Sequence, residues 1–232
     1  MSSLGLSAYF PPISKADEDG LLMIGGDLSY ERLLIAYKNG IFPWPIVDGH
    51  VEVMSWWSPD PRAIIELDEL QVSRRLSRRI RSGQFQVTSN KDFEGVVRAC
   101  AEPRAYANGT WITRPLIQAY AHLHFEGIAH SVEVWKDNEL VGGLYGVAIG
   151  GFFAGESMFH RERDASKVAL VHLVEHLKAQ GFVLFDIQQP SPHTKRMGAT
   201  EITRRKFLSR LERAINLPVS FGETTMEAAS HR

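Results

Sequence analysis

At 232 residues with 44% hydrophobic content, the chain has enough apolar material for a full core in one large or two small domains. A formal net charge of -1 gives no global bias toward acidic or basic partners, and the single cysteine, Cys100, excludes an intrachain disulfide and a cysteine-based zinc site, as fits a reducing cytoplasm. The N-terminus has no charged segment followed by an apolar run, and no stretch approaches the roughly 20 apolar residues that span a bilayer, so secretion and membrane insertion are not expected.

Residues 1–20 are rich in Ser, Pro and Asp without a period and read as an irregular arm closing on Phe10-Pro11-Pro12. Gly25-Gly26-Asp27-Leu28-Ser29 then delivers Ser29 as the N-cap of a helix with Leu33, Leu34, Ala36 and Tyr37 on its apolar face and Gly40 as its stop. In Ile41-Phe42-Pro43-Trp44-Pro45, two prolines fix an extended loop and hold one large ring in place. Met54-Ser55-Trp56-Trp57-Ser58-Pro59-Asp60-Pro61-Arg62 repeats the device, and residues 63–67 read as a short strand. Over residues 71–82, Val72, Leu76 and Ile80 form a buried stripe that throws Arg74, Arg75, Arg78, Arg79 and Arg81 onto the other faces, with Arg75 and Arg79 sharing a ridge. A charge run is usually a solvated face, but five arginines without an acid among them favour contact with phosphates. A strand follows at 85–88, and Asn90 is the expected cap of a helix carrying Phe93, Val96, Val97 and Cys100.

Asn108-Gly109-Thr110-Trp111-Ile112-Thr113 reads as a loop whose last threonine caps a helix, with Pro115 in the first turn, Leu116, Ala119, Tyr120 and Leu123 inward, and Gly127 at its end. Three strands follow at 131–135, 139–148 and 151–157, joined by Lys136-Asp137-Asn138 and Ile149-Gly150. Glu156 sits among apolar neighbours near the end of the third. Asp164 is the expected N-cap of a helix of about four turns, with Val168, Leu170, Val171, Val174 and Leu177 inward and Gly181 after it. Residues 182–188 read as a buried strand, and its period of two puts Asp186 and Gln188 on one face. Buried without a partner, each would cost roughly several kcal/mol, so either the fold or a ligand satisfies them. A helical turn near His193 and a basic amphipathic helix at 203–215 follow, and the tail from Pro218 reads as loose. The pattern is α+β.

Three functional classes compete on these residues. His172-Leu173-Val174-Glu175-His176 has the H-x-x-E-H spacing of a zinc peptidase, although such a site needs a third protein ligand. Trp44 and Trp111, in loops bounded by Pro or Gly, suit an RNA-binding module, since a base stacked on such a ring is worth roughly 1–3 kcal/mol. The glycine-rich stretch 142–155 holds neither a dinucleotide nor a P-loop pattern, and its glycines read as turns or close backbone approaches. Three strands, a helix and a strand suit a coenzyme-A acetyltransferase, but the turn that binds the coenzyme's pyrophosphate is missing.

Seven segments in register carry a resemblance beside these classes, of which the zinc peptidase on His172 and His176 and the non-catalytic RNA-binding module stay open. Gly25-Gly26-Asp27-Leu28-Ser29, Gly40-Ile41-Phe42-Pro43-Trp44, Trp56-Trp57-Ser58-Pro59-Asp60-Pro61-Arg62, Gly109-Thr110-Trp111-Ile112-Thr113, His130-Ser131-Val132-Glu133-Val134-Trp135, Gly155-Glu156-Ser157-Met158-Phe159 and Asp164-Ala165-Ser166-Lys167 resemble those of the bacterial leucyl/phenylalanyl-tRNA-protein transferases. The resemblance runs from about Phe10 to about Leu211. It implies a small N-terminal domain with the basic helix (residues 1–95) and a C-terminal acetyltransferase-like (GNAT-like) domain (96–232) that has given up the coenzyme turn. It implies transfer of leucine or phenylalanine, less readily methionine, from Leu-tRNA or Phe-tRNA to the α-amine of proteins beginning with Arg or Lys, which creates an N-degron in the cytoplasm without metal or cofactor. Residue by residue, it implies that Trp44 and Trp111 hold the terminal adenosine. Leu144, Phe153, Gly155, Met158 and Leu170 would surround the amino-acid side chain, and Asp186, Gln188 and Glu156 would form the reaction centre. The arginine helix would carry the acceptor stem. The loop Gln189-Pro190-Ser191-Pro192, with Lys195-Arg196 beyond it, departs most from the family pattern.

Overall fold

The computed structural model describes residues 10–48, 51–103 and 110–222, so Asn108 and Gly109 of the tryptophan loop lie outside the described residues. The first part of the chain folds into β1 (Leu21–Ile24), α1 (Tyr30–Lys38), β2 (Phe42–Pro43), β3 (Ile46–Asp48), β4 (Val51–Val53), β5 (Ser55–Trp57), β6 (Arg62–Ile65), α2 (Arg74–Arg81) and β7 (Gln86–Ser89). The remainder forms α3 (Phe93–Ala101), α4 (Arg114–Phe125), β8 (Ala129–Lys136), β9 (Glu139–Ile149), β10 (Phe152–His160), α5 (Ala165–Gln180), β11 (Leu184–Gln188), α6 (Pro192–Arg196), β12 (Ala199–Ile202) and α7 (Arg204–Ala214).

Side-chain caps define most helix starts. Ser29, Ser73, Ser191 and Thr203 each accept from a backbone N–H three residues on. Three expected caps work differently, and the first, Thr113, stands at the N-cap of α4 without a side-chain hydrogen bond to the helix. Asp92, not Asn90, caps α3 by accepting from Gly95 N, while Asn90 (φ 58) accepts from the N–H of Ser131. Asp164 stands at the N-cap of α5 in the left-handed region (φ 67), but its carboxylate binds Lys167 rather than the helix backbone. Val72 lies before α2 and is exposed, so buried Leu76 and half-buried Ile80 carry the packing of that helix.

The principal sheet has seven strands in the order β12-β6-β11-β10-β9-β8-β7, and β1-β5-β2 form a smaller one. β8, β9 and β10 make an antiparallel meander, α5 crosses back, and β11 joins parallel to β10, the strand and helix order that suited an acetyltransferase-like fold. The sheet runs across the division expected at 95/96, because β6 and β7 belong to it. Short, half-polar β12 pairs with β6 and gave no periodic signal in the sequence.

Helices cover both faces of the sheet, which is why β9 is buried along most of its length rather than on alternate residues. On one side α5 packs with Val132, Leu144, Phe153 and Phe185. On the other, residues of α1, α3, α4 and α7 pack with Val147, Phe152 and Leu184. Gly142 sets how near α5 can come, since an added Cβ there would stand 2.5 Å from the Cβ of Ala165.

The segment after Pro218 is not loose as far as it is described. The Phe221 ring is buried and stacks on His130 at 4.2 Å between centroids, and its carbonyl accepts from His176 Nε2 at 2.6 Å. Phe221→Ala should therefore cost about 3–5 kcal/mol in urea unfolding at neutral pH, whereas a loose tail would cost almost nothing.

Candidate active site

β10 and β11 run side by side only as far as Ala154 opposite Asp186. Beyond that point both strands lose register with their other neighbours, β10 between Gly155 and Ser157 and β11 between Asp186 and Gln188. A bulge adds an unpaired residue and sharpens the local twist, so the strands part and a cleft opens between them. Glu156 occupies the first irregularity, and Gln188, at φ 57, ends the second. Their side chains meet in the opening, where Gln188 Nε2 donates to Glu156 Oε1 at 3.1 Å.

A chain of buried phenols backs Glu156. The Tyr120 hydroxyl donates to Glu156 Oε2 at 2.7 Å and lies 2.6 Å from the Tyr37 hydroxyl. One edge of the carboxyl group lines the clefts, but its surroundings are otherwise dense. Desolvation pushes it up to about 7, with the nearby Asp186 charge adding to the rise and the hydrogen bonds from Tyr120 and Tyr37 and the charge of Arg62 opposing it. Burial, reinforced by the charge of Glu156, holds the phenols of Tyr37, Tyr120 and Tyr145 well above the ordinary tyrosine range. Tyr37 and Tyr120 had looked like plain inward positions of helices.

Asp186 is fully buried and faces away from the cleft. Its carboxylate receives Arg62 Nε and Nη2 at 2.9 and 2.7 Å, and Oδ1 also accepts the backbone N–H of Gln188 at 2.9 Å. Asp186 therefore fixes the main chain of Gln188 and does not touch its amide. The irregularity between the two residues breaks the period of two that would have put them on one face.

Two adjoining hollows flank the Glu156–Gln188 pair. The first, about 160 Å³, is walled by Phe42, Pro43, Trp44 and Trp111, with the two indoles 6.0 Å apart between centroids. The second, about 220 Å³, is lined by Leu144, Gly155, Met158 and Leu170, together with Leu173, Phe185 and Ile187. Trp111, Glu156, Ile187 and Gln188 border both. Phe153 does not line either hollow. Its ring is fully buried 5.7 Å from that of Phe185, so Phe185 is the wall and Phe153 its support.

The profile of the leucyl/phenylalanyl-tRNA protein transferases matches residues 64–212, and that of their N-terminal domain matches residues 26–60. A leucyl/phenylalanyl-tRNA--protein transferase of Pseudomonas aeruginosa is 53% identical over 211 residues, covering 90% of this chain and 92% of that protein. The transferase of Thiobacillus denitrificans is 51% identical over 224 residues, covering 96% and 97%. The chain belongs to the leucyl/phenylalanyl-tRNA protein transferase family. It is thus an aminoacyltransferase. Among solved structures, L-PGS from Bacillus licheniformis is similar at 13% identity and TM-score 0.40, covering 72% of this chain and 52% of that one.

In this transferase α2 exposes Arg74, Arg75, Arg78 and Arg81. Arg79 leaves the expected ridge, because its Nη1 donates to the Arg163 carbonyl at 2.5 Å and lies 3.8 Å from Asp164. One of the five arginines is thus occupied in tying α2 to the entry of α5. On α5 itself, His176 donates to the Phe221 carbonyl, and desolvation lowers its pKa. Among the described residues no group of three or more His, Cys, Asp or Glu gathers as a metal site would.

Because Arg62 is as buried as its partner, Asp186→Ala should leave a guanidinium uncompensated and cost about 3–5 kcal/mol of stability. Urea unfolding measures this directly. A loss below about 1 kcal/mol would mean that the pair does not organise the strand ends.

Proposed function

We propose that the protein transfers leucine or phenylalanine, less readily methionine, from charged tRNA to the α-amine of proteins beginning with Arg or Lys, marking them for degradation in the cytoplasm. The observation that carries this reading is the pair of adjoining hollows. The aromatic one suits the terminal adenosine and the apolar one the amino-acid side chain, and they meet at the Glu156–Gln188 pair. We also place the boundary between the two parts of the chain after Trp57 rather than at 95/96, a reading supported by the membership of β6 and β7 in the principal sheet.

An aminoacyl ester is already activated, so its aminolysis needs positioning, a proton acceptor and support for the developing oxyanion, and neither metal nor cofactor is invoked. An α-ammonium has a pKa near 7.7–8.0, close enough to that of the raised Glu156 carboxyl for proton transfer between them at neutral pH. In this mechanism ionised Glu156 takes a proton from the incoming ammonium. The freed amine attacks the ester carbonyl, the Gln188 amide N–H supports the oxyanion, and on collapse the C–O bond to the ribose breaks while the proton lost from the attacking nitrogen passes to the leaving ribose oxygen, which departs as a hydroxyl. Tyr120 and Tyr37 hold Glu156, and Asp186 positions Gln188 through its backbone.

The direct test is transfer of labelled leucine from Leu-tRNA to a peptide with N-terminal arginine. Only ionised Glu156 can accept the proton, so the rate should rise as pH climbs through about 7, and Glu156→Gln should lower the rate at neutral pH and move the rise up to the amine's own pKa near 7.7–8.0. Binding of Leu-tRNA with no transfer at any pH would leave a non-catalytic RNA-binding module instead.

Met158 walls the apolar hollow, so Met158→Ala should weaken discrimination between leucine and smaller side chains by roughly 1–3 kcal/mol, read from the ratio of kcat/KM values. Unchanged discrimination would move the amino-acid slot elsewhere.

Exposed Arg75 and Arg78 are three residues apart on α2 and can track one strand of phosphates. Replacing both by alanine should weaken Leu-tRNA and Phe-tRNA alike, since phosphate contacts carry no preference between them. Each lost contact should flatten the plot of log affinity against log salt by about 0.7–0.9. Wild-type affinity and slope in the double variant would make α2 a solvated face.

A further inference from the structure

A third hollow, about 720 Å³, opens beside the apolar one and shares Met158 with it. Its walls come from the end of α3, the end of β10, the first turn of α5 and α6 with the residue before it, including His160, Arg161, Ser166, His193 and Arg196. Ser166 follows closely on Arg163 and Asp164, the residues that tie α2 to α5 through Arg79. The hollow therefore lies between the apolar slot and the arginine helix.

Its charge is one-sided. The lining acid is Glu102, and Arg161 pairs with it at 2.5 Å. Arg196 is exposed, and no ion pair among the described residues holds it. The His193 imidazole has its pKa lowered by desolvation and then by Lys167, Arg196 and His160, with the Asp164 charge opposing them. Its Nε2 is buried with no hydrogen-bond partner among the described residues. A buried ring nitrogen left unsatisfied costs about 1–3 kcal/mol, so a group that hydrogen-bonds to it gains what the free protein lacks. The loop is also set in advance, since Ser191 and Thr194 cap each other and Pro190 and Pro192 restrict the chain.

We propose that this hollow binds the phosphodiester backbone of the single-stranded 3′ end of the charged tRNA, at the nucleotides just before the terminal adenosine. The proposal rests on the transfer reading above. Arg196 supplies the charge and His193 the hydrogen bond, while the ester-linked amino acid occupies the slot on the far side of Met158. The strand then runs on toward the exposed arginines of α2. A basic acceptor N-terminus is a poor occupant, because like charges would face each other.

The test compares two probes as inhibitors of leucine transfer: adenosine carrying leucine at its 3′ position through an amide, and the same nucleoside extended by two 5′ cytidines. In wild-type protein the extension should lower the inhibition constant at least about tenfold, as for charge-assisted hydrogen bonds. Arg196→Gln, at an exposed position that the fold does not need, should erase most of that gain while leaving the unextended probe unchanged. His193→Ala should reduce the gain further. The proposal is overturned if the extension gains nothing in wild-type protein, or if the gain survives both substitutions. It is also overturned if Arg196→Gln raises KM for the arginine peptide and not the constant for the extended probe, which gives the hollow to the acceptor. Failure of wild-type protein to transfer leucine at all would sink the functional reading instead. Quenching of tryptophan fluorescence would then report the affinities of the two probes.

Discussion

Arg62 and Asp186 are both out of reach of water, and the site depends on their meeting. Two charges buried together are costly to desolvate and hold only if geometry and further hydrogen bonds compensate. Here they do. Besides its two bonds to Asp186, Arg62 donates through Nη1 to the Gly40 carbonyl at 2.9 Å, and its guanidinium lies 4.8 and 4.5 Å from the ring centres of Phe42 and Phe207. One side chain thus joins β6 to the end of β11, to the turn after α1 and to α7. Because Gly40 and Phe42 lead directly to Trp44, the same pair sets the aromatic hollow against Gln188.

What could be read from the sequence was what regular periodicity and local chemistry encode. Helix faces such as Leu33, Ala36 and Tyr37 came from spacing alone, and the arrangement of β8, β9, β10, α5 and β11 followed from runs and turns. Leu144, Met158 and Leu170, expected near the amino acid from family resemblance, do line one hollow, and Trp44 and Trp111 wall the other. The misses share a cause. Period-two reasoning assumes an unbroken strand, and the site is built where two strands break. Phe153 and Phe185 are both buried aromatic strand residues, and only their packing shows which one faces the hollow.

Tertiary hydrogen bonds were equally invisible in one dimension. Tyr37 and Tyr120 are 83 residues apart, and neither helix announces that their hydroxyls meet beneath a carboxylate. The motif around Ser131 and Glu133 carries another such network. Buried Glu133 accepts from the hydroxyls of Ser131 and Thr88, and Trp135 Nε1 donates to Thr88, which fastens β7 to β8 at the sheet edge. A segment shared with a family can be shared because it holds an edge strand.

The common border of the aromatic and apolar hollows has a consequence for the life of the carrier. On the function proposed above, a loaded tRNA would fill both compartments at once, and the ester between them would make the second occupancy effectively intramolecular. On that reading, once the acyl group has moved to the acceptor, the spent tRNA gives up the apolar compartment and keeps only its nucleotide contacts. Loaded and empty carriers would thereby be ranked by the reaction's own geometry, without any separate sensing element.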